Sequence, residues 1–133
     1  MNKYKREKIL LELTDPLGRK IILGSNEYKH VKKCHPTEVL LIETVKNTIK
    51  DPISIWEDEK IEKEEEKVWY YFNEIEFDKV KLTQIKKRYI IIIVKNRKGN
   101  FRIITWYAYN TLRKKGARKI WEREFASGIM FAL

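Results

Sequence analysis

The chain runs to 133 residues and 16.1 kDa with 43% hydrophobic residues, enough for one domain with a core of its own. Its single cysteine excludes an internal disulfide, and its apolar runs fall far short of a membrane span. A formal net charge of +10 points to a polyanionic partner, nucleic acid before an anionic membrane, because the basic half reads as strands rather than an amphipathic helix.

That charge is divided unevenly. Residues 57–66 hold seven acids (Glu57, Asp58, Glu59, Glu62, Glu64, Glu65 and Glu66) against Lys60 and Lys63, whereas from Lys79 to Arg123 fifteen Lys or Arg face the single acid Glu122. Charge that serves only solubility is the plainer alternative. No apolar segment follows the basic first residues, so no signal peptide is expected and the chain reads as cytoplasmic, without a membrane partner. Oligomeric state is left open.

In chain order, Lys8 to Leu13 and Arg19 to Leu23 are strand candidates joined by the turn Asp15-Pro16-Leu17-Gly18. Ser25 or Asn26 opens a helix whose apolar stripe is Tyr28, Val31 and Cys34, and Pro36 forces His35 onto a corner. Thr37 opens a second helix with Val39, Ile42, Val45 and Ile49 on its core face, stopped by Asp51-Pro52.

Ile53 to Trp56 is a short strand, followed by an acidic loop at about 57–67 expected to be solvated and mobile, with a folded-back arm screening the basic face as the alternative. Val68 to Ile75 is an aromatic strand, and Glu76–Lys87 reads as a loop or a single turn. The run I-I-I-I-V at 90–94 predicts a central strand covered on both faces. Phe101 to Tyr109 returns as its partner. A regular hairpin sends Phe101, Ile103, Thr105, Tyr107 and Tyr109 to one face, and Arg102, Ile104 and Trp106 to the other with Lys95. Leu112 to Arg118 is a basic turn, Lys119 to Arg123 a last strand, and the remainder a frayed tail. The class is α+β: a single domain over 1–133 with two N-terminal helices packed on an antiparallel β-sheet.

Both histidines, His30 and His35, lie beside Lys29, Lys32 and Lys33, which suggests an acid/base pair next to an anion site, the plainer alternative being a surface helix with incidental histidines. A structural metal wants four ligands, and no second cluster of Cys or His supplies them, so no metal or other cofactor is expected. Cys34 and His35 are neighbours that do not face one another on a helix, and the stripe gives Cys34 a small buried apolar role. The glycines are scattered, so no phosphate-cradling loop exists. Metal-free RNA cleavage, where the 2′-hydroxyl is the nucleophile and the protein supplies a base, an acid and cations, is a chemistry these residues can serve, with ordinary strand filling as the alternative for Thr105 and Tyr107. Tyr70, Tyr71, Trp106 and Tyr109 are candidates to stack on unpaired bases.

The segments K-H-V-K-K-C-H-P at 29–36, V-K-N-T-I-K-D-P at 45–52, W-Y-Y-F at 69–72, I-I-I-I-V-K at 90–95 and F-R-I-I-T-W-Y at 101–107 carry a resemblance. In order and spacing, over roughly 19–110, the chain resembles the phage-associated nuclease families of the barnase–EndoU–colicin–RelE (BECR) superfamily. The resemblance implies a BECR-like fold and a metal-independent endoribonuclease, often a toxin or phage effector; an acidic immunity protein is the partner of the interaction-protein reading below. Carried over, His30, His35, Thr105 and Tyr107 are the catalytic candidates. The substrate-binding candidates are Lys95, which matches the family pattern, and, from the residues themselves, Lys32, Lys33, Arg102, Tyr71 and Trp106. Lys95 matches the pattern but falls opposite Thr105 in a regular hairpin: either the register differs or Lys95 is not catalytic. The competing readings are a non-catalytic nucleic-acid-binding module and a toxin-like interaction protein.

Overall fold

The computed structural model describes residues 7–124. Among the described residues seven strands form one sheet: β1 (Ile9–Thr14), β2 (Lys20–Gly24), β3 (Ser54–Asp58), β4 (Val68–Glu74), β5 (Tyr89–Arg97), β6 (Asn100–Tyr109) and β7 (Ala117–Glu122), in the spatial order β1-β2-β6-β5-β4-β3-β7. Helices α1 (Ser25–Cys34) and α2 (Ile42–Lys50) follow β2, with a 3₁₀ turn at Glu38–Leu41 between them, and α3 (Phe77–Thr83) precedes β5.

The expected architecture, two N-terminal helices packed on an antiparallel sheet, is corrected. The chain is strand-rich with short helices, the hairpin expected ahead of the helices is present as β1 and β2, and β2 runs parallel to β6 through Ile21↔Phe101 and Ile22↔Arg102. That pairing joins segments about eighty residues apart, beyond the reach of local pattern. A helix also replaces the loop or single turn expected near residue 80; Val80 packs on the core, and Gln84 ends the helix in a left-handed conformation at φ 60°.

Alternation divides the core between the two faces of the sheet. On one face Ile90, Ile92, Val94 and Trp106 meet Val31 of α1 and Val45 and Ile49 of α2. Each such side chain removed from water contributes about 1.5–3 kcal/mol. On the other face Tyr70, Phe72 and Ile91 form a second cluster. The I-I-I-I-V strand is thus central and covered on both sides. Segment 110–116 joins β6 to β7 across that second face, with Leu112 packed on the cluster and Lys114 Nζ 5.3 Å from the Tyr70 ring. The expected tail beyond Glu124 and the signal-peptide reading at residues 1–6 lie outside the described residues. Among those described, no helix is long and apolar enough to cross a membrane.

Candidate functional site

The β5–β6 hairpin turns through Lys98 and Gly99, both at positive φ (55° and 86°), as a two-residue hairpin loop requires. Asn96 faces Phe101, Lys95 faces Arg102 and Val94 faces Ile103, as a regular hairpin predicts. Then the register shifts: Ile93 faces Thr105, and Ile104 is the extra residue of a β-bulge. Beyond the bulge Ile91 faces Tyr107 and Ile92 faces Trp106. This one residue removes the conflict over Lys95. Lys95, Arg102, Thr105, Tyr107 and Tyr109 share a face, while Trp106 turns into the helix-covered core.

β2 pairs with β6 only through Ile21 and Ile22, so among the described residues the later part of β6 has no strand on that side. Helix α1 runs beside it instead. Its apolar stripe, Tyr28 and Val31, meets Trp106 and the core, and His30 lies on a stripe turned toward an open hollow of about 940 Å³. His30, Lys95, Arg102 and Ile104 line that hollow, together with Glu27 and Glu66.

Arg102 is held there by two carboxylates. Its Nε donates to Glu27 at 2.7 Å and its Nη2 to Glu7 at 2.6 Å, in a cluster largely shielded from solvent. Gly24 lies beneath this bridge: a Cβ at that position would collide with Glu7 Oε1 and Arg102 Nη2. The bond to Glu27 raises the Arg102 guanidinium pKa further. Burial pushes the Glu27 carboxyl up, but hydrogen bonds led by Arg102 outweigh it and hold the group below its ordinary value. Glu7 moves the opposite way, raised by burial and by the neighbouring Glu27 carboxyl, so it keeps its proton to higher pH. Glu27 Oε2 is sealed without a hydrogen-bond partner among the described residues.

His35 ends α1. Its backbone N–H donates to Val31 O at 2.7 Å, and its ring stacks on Tyr107 with centroids 5.6 Å apart. Its Nδ1 is 3.8 Å from Glu38 Oε2, and about a third of the side chain is exposed. Tyr107 in turn meets Tyr109 edge-on at 6.1 Å, and burial raises the Tyr107 phenol. The predicted residues therefore gather in two neighbouring groups on one sheet face: His30 with Lys95 and Arg102 in the hollow, and His35 with Tyr107 further along β6.

The remaining candidates stand differently. Thr105 is on the right face, but its Oγ1 is buried with no partner among the described residues. Lys32 and Lys33 are exposed in the last turn of α1 and do not line the hollow. Tyr71 and Trp106, expected as base-stacking surfaces, are corrected: both are 0% exposed. The Tyr71 hydroxyl donates to Asp15 at 2.5 Å and accepts from Arg19 at 2.7 Å, and Trp106 Nε1 donates to Glu38 O at 2.7 Å. Cys34 is also corrected, since it is exposed, with Sγ 3.8 Å from His30 Nδ1. Pro36 ends α1 at Cys34, so the apolar stripe stops one turn short of it.

Sequence reasoning missed Glu7, Glu27 and Asn96. Glu27 sits three residues before His30, one turn along the same stripe, and that spacing was the available signal. Glu7 and Asn96 had none. No cluster of three or more metal-ligating side chains occurs among the described residues. Comparison of the chain with protein-family models, with curated proteins and with solved structures returns no match.

Proposed function

We propose that this protein binds RNA along the open face of β6 and cleaves it without a metal, by activating the 2′-hydroxyl and leaving a cyclic phosphate. The observation that carries the reading is the bulge at Ile104, which brings Lys95, Arg102 and Tyr107 to one face with His30 and His35 at its rim. Cleavage needs one group to take the 2′-hydroxyl proton and another to donate to the leaving 5′-oxygen. Imidazole is the side chain whose two protonation states serve this near neutrality. Each such group contributes about 10²–10⁴ in rate, and cations fixed near the phosphate add to this. The motif order that resembles the phage-associated nucleases supports the same reading. On that reading the protein is a toxin-like cytoplasmic effector whose basic surface suits an acidic immunity partner.

A second reading, an RNA-binding module without catalysis, is favoured by two observations: Arg102 is already held by Glu7 and Glu27, and the Thr105 hydroxyl is covered. Incubating purified protein with RNA in chelator separates the two. Cyclic-phosphate ends are expected, with the rate lowered about 10²–10⁴-fold in His35→Ala and in His30→Ala. Absence of cleavage, with salt-sensitive binding retained in both variants, selects the module; absence of both cleavage and binding removes RNA altogether.

A further inference from the structure

The acidic run between β3 and β4 is fastened to the basic hairpin rather than free of it. Its 3₁₀ turn, Glu64–Glu66, is tied down by Asn96, a residue only 5% exposed. Asn96 Nδ2 donates to Glu64 O at 2.9 Å, its backbone N–H donates to Lys67 O at 2.9 Å, and its Oδ1 accepts from Gly99 N–H at 2.9 Å. Lys67 adds ion pairs to Glu57 at 3.5 Å and Glu64 at 3.2 Å. The result is that Glu65 and Glu66 line the same hollow as His30, Lys95 and Arg102.

We propose that this arm is an internal counterweight to the substrate's phosphates, an autoinhibitory contact in which Glu65 and Glu66 occupy the potential that RNA must displace. The inference rests on the RNA reading above and adds the regulation of that site. Arg102 already has two carboxylate partners, so Lys95, Arg97 and Lys98 are the hollow cations left for Glu65 and Glu66 to screen. No ion pair joins either acid to Lys95 among the described residues, which makes the arm a screen that is displaced rather than a lock that must break. Coulomb attraction over such separations in wet surroundings is modest and fades with salt, so the arm discriminates by affinity and ionic strength. A short or weakly charged RNA is refused, and a polyanion presenting several phosphates at once is admitted.

The test compares wild type, Glu65→Gln/Glu66→Gln, and Glu59→Gln/Glu62→Gln, which removes the same charge from exposed arm positions outside the hollow. Binding of a single-stranded RNA oligonucleotide made uncleavable by 2′-O-methylation is followed by fluorescence anisotropy at low and at high salt, with circular dichroism to verify folding. The hollow variant is expected to bind about fivefold tighter than wild type at low salt and to lose most of that gain at high salt, while the control pair changes less than twofold. Equal tightening by both pairs reduces the effect to net charge and overturns the proposal. Equal affinity of wild type and the hollow variant overturns the arm alone. Failure of all three proteins to bind overturns the arm together with the RNA reading.

Discussion

At the scale of single residues, burial decides which of the tempting side chains can meet a ligand. Tyr71 and Trp106 sit in motif positions among basic residues, yet both stand on the helix-covered face, and their polar atoms are spent inside the protein. Tyr71→Phe leaves buried Asp15 without its phenol donor and Arg19 without its acceptor, which costs about 1–3 kcal/mol of stability. A lowered urea midpoint with unchanged RNA affinity is expected; a variant of wild-type stability with weakened binding would put Tyr71 in the site after all. The placement of His30 on α1 and of His35 at its end was legible from sequence because helix spacing and a proline fix their surroundings locally. The Glu7–Arg102–Glu27 cluster was not, since its members come from three separate segments and their meeting depends on the fold.

At the scale of elements, the strands were read with small errors at their ends, while β6 was misread in its interior. Alternation is a reliable guide only while the count of residues matches across a ladder, and no pattern in F-R-I-I-T-W-Y announces that Ile104 is supernumerary. The same residue governs the site. Deleting Ile104 restores strict alternation and exchanges the orientation of one half of β6, either driving Trp106 out of the core or carrying Arg102 away from Glu27. Expulsion of a fully buried tryptophan costs about 3–5 kcal/mol. Thermal unfolding should therefore shift sharply downward in the deletion variant, with RNA binding lost wherever the fold survives. A deletion protein as stable and as tight-binding as wild type would disprove the functional weight given to the bulge. The parallel β2–β6 pair and helix α3 were illegible for other reasons: one is a long-range pairing, the other a seven-residue helix held by contacts more than by its own propensity.

At the scale of the whole molecule, the balance of charge sets the response to pH. Burial raises Glu57, but Arg118, Lys67 and Trp69 outweigh it and hold the carboxyl low, as Arg102 does for Glu27. For a lowered carboxyl the unfolded chain takes up the proton first as pH falls. The stability it confers is present above the ordinary carboxylate range and lost as pH drops through the folded value. Glu7, being raised, works in the reverse sense, and its contribution fades as pH rises through its own window. Urea midpoints measured between pH 7 and about pH 3 should thus fall on the acid side, where two lowered groups oppose one raised one. Glu27→Gln should start lower at neutral pH and show a shallower acid limb; an unchanged limb would mean that the Arg102 cluster is not coupled to folding.

The route of the chain between β6 and β7 has a consequence for the order in which the protein can be completed. β7 docks on β3, four places away from β6, and the seven residues between them carry Leu112 and Lys114 over the second cluster on the way. A nascent chain that has emerged only as far as Tyr109 can close six strands, yet it leaves Phe72 and Ile91 without their cover and β3 as a naked margin. Of the described elements, β7 and the segment before it are therefore the last to be made, and a product truncated at Tyr109 is a sticky one.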